Sequence, residues 1–373
     1  MNDVQRIDIA VAGKFHAYHL ASEFAALSRL GDLYSVHRKL DPPDHVSKKA
    51  FHNRFDLAVW AALSRYIPVG YTDERRFEVF DDWLAKRLAK KTPGILHSWN
   101  GSSYSTFKKL KGSGWRLCVE RSCPHNQFQY DLLLEEGKAL GIPHEQDMRA
   151  LARNIEELHL ADVIVAPSTF SASSYTEPEL IRKVRVNPLG GNVKYLERPT
   201  KAPGAKAGFK VLMVGNSFLR KGIHYLVEAF KLIDDPNAEL WIRGDVPDAY
   251  RKRIQDPRIT VIPPVLPNRL KELYQTADVF VQPSIDEGFG MTVFEALGYG
   301  LPLVITENVG ARDLLSRDVA VTVPIRDPNA IAAAIEAARH LPGPEFDAAR
   351  KSIIEKNTWS ACAQRMIDGV YAN

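Results

Sequence analysis

The chain has 373 residues, of which 45% are hydrophobic and 25% are charged, and these values are ordinary for soluble globular domains. Its 49 basic and 45 acidic residues leave a formal net charge of +4, far below the excess that a nucleic-acid-binding protein carries. Three cysteines are too few for a disulfide framework and favour a reducing compartment, so we expect a cytoplasmic protein that binds no nucleic acid.

The N-terminus and the apolar runs predict neither a signal peptide nor a transmembrane helix. Asp3, Arg6 and Asp8 precede a short apolar run that is no secretory h-region, and nowhere do about 18 apolar residues follow one another. Any membrane contact is therefore expected to be peripheral.

Strands and helices alternate in the first half of the chain. An apolar run over 7–12 ends at Gly13, and a helical pattern over 19–30 follows before Gly31. Further strands are predicted from short apolar runs at 94–97, 115–120 and 163–166. Such alternation is typical of an α/β protein whose parallel sheet carries helices on both faces.

A segment rich in proline, glycine and alanine, residues 199–208, then predicts a linker between domains. The alternation restarts beyond it, with strands predicted at 210–214, 238–242, 259–262, 279–282 and 303–306, and helices at 223–232, 270–277 and 294–297. We therefore predict two Rossmann-like, doubly wound α/β domains, at 1–198 and 209–354, with 355–373 as a C-terminal helix that packs back on the first domain. Ligands of such sheets bind at the carboxyl ends of the strands.

The strongest local motif has two carboxylates, Glu287 and Glu295, separated by seven residues. Gly288 and Gly290 allow close backbone approach, and a helix that starts near Met291 offers its first amide groups to an anion. A carboxylate can accept hydrogen bonds from both hydroxyls of a vicinal diol. For the isolated spacing, a helix-surface residue and a turn residue remain the alternative interpretation.

A second group of candidates follows the predicted strand at 210–214. Arg220 and Lys221 can supply fixed positive charge to a diphosphate leaving group, which becomes more negative as its glycosidic bond breaks. A solvated basic pair at a helix start is the alternative. The chain contains no Asp-x-Asp, and the acidic pairs at 81–82 and 234–235 are interpreted as solvated, so we predict no metal site.

The N-terminal half offers weaker candidates at strand ends. Gly13, Lys14 and His16 follow the first strand, where an ordinary turn is an equal alternative to a binding loop. His125 follows the strand at 115–120, and His97 is a second candidate of the same kind.

These motifs and their flanks resemble the retaining glycosyltransferases of the GT-B fold that carry the E-x7-E motif. The resemblance rests on residues 277–284 (ADVFVQPS), 295–304 (EALGYGLPLV), 161–168 (ADVIVAPS), 188–192 (PLGGN) and the pair Lys221-Gly222. It departs from the family pattern at Asn216, where an arginine is common, and at Asn192, where an aspartate is usual.

The resemblance implies a transfer of a hexose, with retention of configuration, from a GDP- or UDP-linked sugar to a hydroxyl of a glycan, a lipid-linked saccharide or a small acceptor. No cofactor beyond this donor substrate is implied. By the same resemblance, the domain at 1–198 would bind the acceptor and the domain at 209–354 would bind the nucleotide sugar. Glu287, His125, Arg220 and Lys221 would be the catalytic residues. Donor-binding positions would be Glu295, Gly13, Gly288, Phe289, Gly290, Met291, Thr292, Gly244 and Val265. A GT-B epimerase or phosphorylase, or a non-catalytic nucleotide-sugar-binding subunit, are the alternatives.

Residues 45–91 have no counterpart in the family pattern and are both basic and aromatic. Cationic and aromatic side chains on helices suit an interface with anionic lipid, where a lipid-linked acceptor would lie. A lid over the acceptor site is the alternative interpretation of the same segment.

Overall fold

The computed structural model describes residues 5–13, 15–37, 41–63, 73–191, 193–197 and 208–372. Nearly all of the predicted linker, as well as Lys14 and Asn192, lies outside these residues. Within them the model has two parallel sheets, and the predicted class of two doubly wound α/β sheets is confirmed.

The N-terminal sheet consists of seven parallel strands in the described part of the chain. They are β1 (Ile7–Val11), β2 (Leu30–Ser35), β3 (Phe51–Asn53), β4 (Ile95–Trp99), β5 (Arg116–Glu120), β6 (Val163–Ala166) and β7 (Val184–Val186). Their order in space is β3-β2-β1-β4-β5-β6-β7. The helices that belong to this half are α1 (Ala17–Ala26), α2 (Phe55–Leu63), α3 (Asp73–Leu88), α4 (Tyr104–Leu110), α5 (Asn126–Leu140), α6 (Met148–Leu160), α7 (Thr169–Ser173) and α8 (Pro178–Lys183).

The C-terminal sheet repeats this architecture with six parallel strands among the described residues. They are β8 (Lys210–Val214), β9 (Glu239–Arg243), β10 (Ile259–Ile262), β11 (Val279–Gln282), β12 (Leu303–Thr306) and β13 (Ala320–Val323), in the order β10-β9-β8-β11-β12-β13. The helices are α9 (Ile223–Lys231), α10 (Asp248–Arg251), α11 (Pro267–Thr276), α12 (Met291–Gly298), α13 (Pro328–Ala338), α14 (Pro344–Lys356) and α15 (Trp359–Arg365). Short 3₁₀ and π turns cover Gly310–Leu314 and Met366–Val370.

Both faces of each sheet are buried, which explains why the central strands are continuous apolar runs. In β1, Ile9 packs into one core cluster and Ala10 into another, on opposite faces of the sheet. In β8, Leu212 and Met213 are divided in the same way. Ile9 and Leu212 share one cluster, so a common apolar core joins the two sheets.

The predicted helix over 19–30 is wrong at its end. The helix α1 stops at Ala26, Ser28 takes a left-handed φ of 55°, and Leu30 already begins β2. Gly31 lies inside that strand, where a Cβ would come within 2.0 Å of Oδ1 of Asp8. This glycine is therefore required by the carboxylate packed over it, and it does not end a helix.

Asp81 is buried and not solvated, which corrects the interpretation of the acidic pair at 81–82. Its carboxylate accepts hydrogen bonds from the backbone amides of Ser105 (2.7 Å) and Thr106 (2.9 Å), and it lies 2.9 Å from the guanidinium of Arg153. The first amides of a helix have no partner within the helix, so a carboxylate from another element can stabilise the start of α4.

The last residues of the chain lie against the N-terminal half. Arg116 of β5 donates a hydrogen bond of 2.7 Å to the carbonyl of Tyr371, and α15 packs on α1. The indole ring of Trp359 stacks on His16 and on His19, with ring centroids 5.3 and 5.1 Å apart. The C-terminal segment thus contributes side chains to the carboxyl edge of the N-terminal sheet.

Candidate functional site

The carboxyl ends of the two sheets touch each other. Strand order reverses between β1 and β4 in one sheet and between β8 and β11 in the other, and doubly wound proteins bind their ligands at such reversals. The loops after β5 and β11 meet here, because a Cβ on Gly288 would lie 2.0 Å from the carbonyl oxygen of Ser122. Ser168 donates a hydrogen bond of 2.7 Å to the Gly288 carbonyl.

Three of the predicted catalytic residues form one cluster at the C-terminal reversal. Lys221 follows β8, Glu287 follows β11, and the Lys221 ammonium donates a short hydrogen bond to Oε2 of Glu287. The guanidinium of Arg220 lies 3.6 Å from the same oxygen. The sequence places these groups 66 residues apart, and the adjacency of β8 and β11 brings them together.

Charge pairing controls the protonation of this cluster. Burial by itself would raise the pKa of Glu287, but the positive charges of Lys221 and Arg220 outweigh burial and hold it below the ordinary value. The neighbouring carboxyl group of Asp286 is fully buried, and burial raises its pKa. Gln129 of α5 donates a hydrogen bond to Asp286 from the N-terminal half. Glu287 is therefore ionised at neutral pH, between two cations.

Two glycines permit this arrangement of the loops. Gly222 begins α9 with a left-handed φ of 60°, and a Cβ there would lie 2.1 Å from the carbonyl oxygen of Pro283. Gly290 precedes α12 with φ of 101°. A side chain at either position would strain the backbone, and at Gly222 it would also separate the loops that carry the cluster.

Glu295 lies on α12, the helix that follows the loop of Glu287. It accepts a hydrogen bond of 2.9 Å from the Tyr274 hydroxyl, and burial raises the pKa of its carboxyl group. On the same edge of the sheet, Arg243 at the end of β9 donates a hydrogen bond of 3.0 Å to Oδ1 of Asn216. A guanidinium from the neighbouring strand thus lies beside the position where the family pattern has its arginine.

Residues 208–339 match the family model of the glycosyl transferases group 1. This segment carries Glu287, Glu295 and both cations of the cluster. In this segment the chain is similar to the group 1 glycosyl transferases.

Other known proteins agree with this assignment. An uncharacterised glycosyltransferase of Methanocaldococcus jannaschii is 30% identical over 172 residues, which make up 42% of this chain and 43% of that protein. This chain therefore spans less than half the length of that curated relative.

Two solved structures share the fold over almost the whole chain. Sucrose-phosphate synthase from Thermosynechococcus elongatus has a TM-score of 0.69 at 21% identity, and 97% of each chain is covered. The catalytic domain of starch synthase IV from Arabidopsis thaliana, bound to ADP and acarbose, has a TM-score of 0.68 at 14% identity with the same coverage. The predicted GT-B architecture is confirmed by these likenesses.

Three of the remaining residues predicted to bind the donor lie around the start of α12. The Phe289 side chain is buried and stacks on Phe294, so only its backbone can face a ligand. The Thr292 hydroxyl donates a hydrogen bond of 2.7 Å to Gln282, and Met291 starts α12. All three residues lie at the start of α12 or directly before it, and their donor-binding roles stay predictions.

Two further predictions fall on the loops of β9 and β10. A Cβ on Gly244 would lie 2.1 Å from the carbonyl oxygen of Gly215, so this glycine lets the loop after β9 lie against the loop after β8. Val265 lies in the loop between β10 and α11, at the outer edge of the sheet.

His125 is not part of the charged cluster within the described structure. Its ring packs edge-on to Tyr175 at 5.2 Å, its backbone amide donates to Ser174, and burial lowers the pKa of its imidazole. Gly13 has neither a positive φ nor a contact that a Cβ would break. The predicted roles of both residues stay predictions.

Sequence reasoning missed a buried carboxylate, Glu120, at the end of β5. Oε1 of Glu120 lies 2.6 Å from Nε2 of His16, and Oε2 lies 3.5 Å from Nε2 of His97. Burial would raise the pKa of Glu120, but the two imidazoles outweigh it and hold the pKa well below the ordinary value. Asp286 and Arg243 were missed as well. The alternation of strands and loops places Glu120, Asp286 and Arg243 at or near strand ends, but no sequence motif marks them as functional.

The carboxylates and imidazoles of the described residues do not gather into a metal-binding group. No set of three or more His, Cys, Asp or Glu side chains with the geometry of a metal site occurs among them.

Proposed function

We propose that the chain is a retaining, metal-independent glycosyltransferase that moves a hexose from a nucleotide diphosphate sugar to a hydroxyl group. The observation that carries this proposal is the cluster of Lys221, Arg220 and Glu287. It lies where the strand order reverses between β8 and β11, in the segment that matches the group 1 glycosyl transferases. Two cations lie beside the Glu287 carboxylate there, and fixed positive charge of this kind stabilises a diphosphate leaving group.

The reaction proposed is substitution on one face of the donor sugar. The bond from the anomeric carbon to the diphosphate oxygen breaks, and a bond from that carbon to the acceptor oxygen forms on the same side. The proton of the acceptor hydroxyl passes to the leaving phosphate. Lys221 and Arg220 stabilise the negative charge of this leaving group, while Glu287 accepts hydrogen bonds from hydroxyls of the transferred sugar.

The nucleotide is assigned to α12 and the loops beside it. Glu295 offers carboxylate oxygens to the ribose diol, and Arg243 with Asn216 adds a guanidinium near the place of the missing family arginine. The starch synthase that shares this fold was solved with ADP, which supports a nucleoside diphosphate as the ligand class. We propose a GDP- or UDP-linked hexose as donor.

A thermal-shift series with UDP, GDP and ADP tests the donor assignment. One of these nucleotides is expected to raise the free energy of unfolding by about 2.7 kcal/mol at 100 times its dissociation constant. Glu295→Gln removes the charge that is proposed to hold the ribose, and it is expected to raise the dissociation constant of that nucleotide by about tenfold. Absence of any shift, together with no turnover of UDP- or GDP-hexoses, would refute the proposal.

The acceptor is proposed to be a glycan, a lipid-linked saccharide or a small hydroxyl compound, as in polysaccharide biosynthesis. The protein is proposed to lie in the cytoplasm at the inner face of a membrane.

The exposed apolar side chains of α2 support the membrane contact. They are Phe55, Val59 and Trp60. Lys48 and Lys49 are exposed nearby in sequence. Other cations of 45–91 are engaged within the fold, since Lys91 pairs with Asp8 and Asp32, and Arg54 with Asp56. Residues 64–72 lie outside the described structure, whose helices include none long and apolar enough to cross a bilayer.

Sedimentation with vesicles of phosphatidylglycerol and phosphatidylcholine measures this contact. Trp60→Ser is expected to lower the partition coefficient of the protein between vesicles and water by about tenfold, because a large apolar side chain contributes about 1.5–3 kcal/mol when buried. The coefficient is measured from the bound fraction at low lipid concentration. Leu266→Ser is the matched control, since Leu266 is 79% exposed on the other domain. Equal losses in both variants, or no binding by the unmodified protein, would contradict the membrane assignment.

A further inference from the structure

The buried group around Glu120 lies where the strand order of the N-terminal sheet reverses. His16 follows β1, His97 lies on β4, and these are the two strands between which the order reverses. Ser122, whose hydroxyl donates a hydrogen bond of 3.0 Å to Glu120, is the residue whose carbonyl touches Gly288 beside Glu287. A single loop thus connects this group to the place assigned to the transferred sugar.

The carboxylate of Glu120 orients the His16 ring. Nε2 of His16 lies 2.6 Å from Oε1 of Glu120, so this contact fixes the direction of the imidazole ring. The Nε2 atom is buried, whereas 13% of the side chain is exposed, so the accessible part of His16 lies away from Glu120. Among the described residues, none forms a hydrogen bond with the accessible part of the His16 side chain.

Aromatic rings surround the accessible part of His16. Trp359 stacks on one face of the imidazole, and Trp99 packs edge-on at 5.3 Å. Phe15, the preceding residue, is 59% exposed and holds a left-handed φ of 35°, a conformation that costs free energy in a residue other than glycine. Exposed aromatic surface beside one oriented polar atom is typical of a pocket for a ring-shaped ligand that carries hydroxyl groups.

Part of the Glu120 group remains without a partner. Oε2 of Glu120 and Nε2 of His97 are both buried, 3.5 Å apart, and neither has a hydrogen-bond partner among the described residues. The other nitrogen of His97 is 2.8 Å from the Tyr371 hydroxyl. Buried polar atoms without partners carry a free-energy cost, and they occur where a fold sets aside polar groups for function.

We propose that His16, oriented by Glu120, binds the attacking hydroxyl of a pyranoside acceptor, with Phe15 packing against the ring of that sugar. This inference rests on the proposed function, since it assigns the acceptor of the same reaction. Glu120 is a positioning residue, because it acts through His16. The C-terminal segment completes the acceptor site by placing Trp359 on the imidazole.

The test compares transfer with hydrolysis of the donor in the full-length protein. The donor is the UDP- or GDP-hexose that the unmodified protein turns over, and the acceptors are methyl glycosides of glucose, galactose and mannose. His16→Gln is expected to raise the KM for the methyl glycoside by about tenfold or more, while the KM for the donor and the thermal shift with the nucleoside diphosphate stay unchanged. His19→Gln is the matched control, because His19 lies on the same helix and stacks on the same Trp359 ring at 5.1 Å.

Each other outcome counts against a specific claim. An unaltered acceptor KM in His16→Gln, or an equal change in His19→Gln, overturns the assignment of His16, because the effect would then be absent or merely structural. Hydrolysis of the donor without transfer to any methyl glycoside by the unmodified protein overturns the pyranoside acceptor but leaves the donor site intact. Failure of the unmodified protein to turn over any nucleotide sugar overturns the proposed function and this inference together.

Discussion

Glu287→Gln is expected to lower kcat/KM for hexose transfer by about 100-fold, because a hydrogen bond from a sugar hydroxyl to a charged acceptor contributes about 1.5–3 kcal/mol. The amide keeps the size of the side chain and removes its charge. Since Lys221 and Arg220 hold the pKa of Glu287 below its ordinary value, the wild-type carboxylate is ionised at neutral pH and the variant differs from it by a full charge. Initial rates with the preferred nucleotide sugar measure the effect.

Glu307→Gln serves as the control for this experiment. Glu307 is an exposed carboxylate in the loop after β12, close in sequence to Asn308, whose carbonyl accepts a hydrogen bond from the Glu287 amide. Its replacement is expected to leave transfer unchanged. A Glu287→Gln protein with wild-type kcat/KM would remove this residue from the site.

Lys221→Met is expected to reduce both stability and activity. Glu287 would remain buried with only Arg220 at 3.6 Å, and loss of one partner from a buried ion pair costs about 3–5 kcal/mol. Loss of a fixed charge at the leaving group lowers kcat by about 10²–10³. Denaturant unfolding and initial rates measure the two effects separately.

A double variant separates stability from catalysis at this position. Lys221→Met combined with Glu287→Gln removes the unpaired buried charge, so the free energy of unfolding is expected to recover most of its loss while transfer stays low. Lys231→Met, at the end of the α9 helix that follows Lys221, controls for the loss of a lysine, since the Lys231 side chain is 41% exposed. Wild-type kcat in the single variant would show that Lys221 does not stabilise the leaving group.

Much of the C-terminal half could be predicted because its strands are buried on both faces. The predicted strands at 210–214, 259–262, 279–282 and 303–306 coincide with β8, β10, β11 and β12. Three or four consecutive apolar residues between turn residues are sufficient to identify such strands. The motif residues follow directly from these strands, since Lys221 and Glu287 lie in the loops after β8 and β11.

The N-terminal half was harder to predict because its outer strands are not continuous apolar runs. The strand β2 contains Gly31 and Asp32 within the sequence LGDLYS, and β3 and β7 have only three residues each. The burial of Asp81 was missed for a related reason, since the amides that it binds belong to α4, 24 and 25 residues away. Local composition carries no signal for a partner at that distance.

The sequence by itself determined the class of the fold, the position of the charged residues at strand ends and the resemblance to group 1 glycosyl transferases. Those properties depend on local periodicity and on short motifs. Only the tertiary structure decided that His16, His97, Glu120 and the C-terminal Trp359 and Tyr371 form one group, and that His125 lies outside the charged cluster. Parallel strands bring residues from distant parts of the chain to one edge, and the two edges meet at Gly288, where only a residue without a side chain lets the two loops touch.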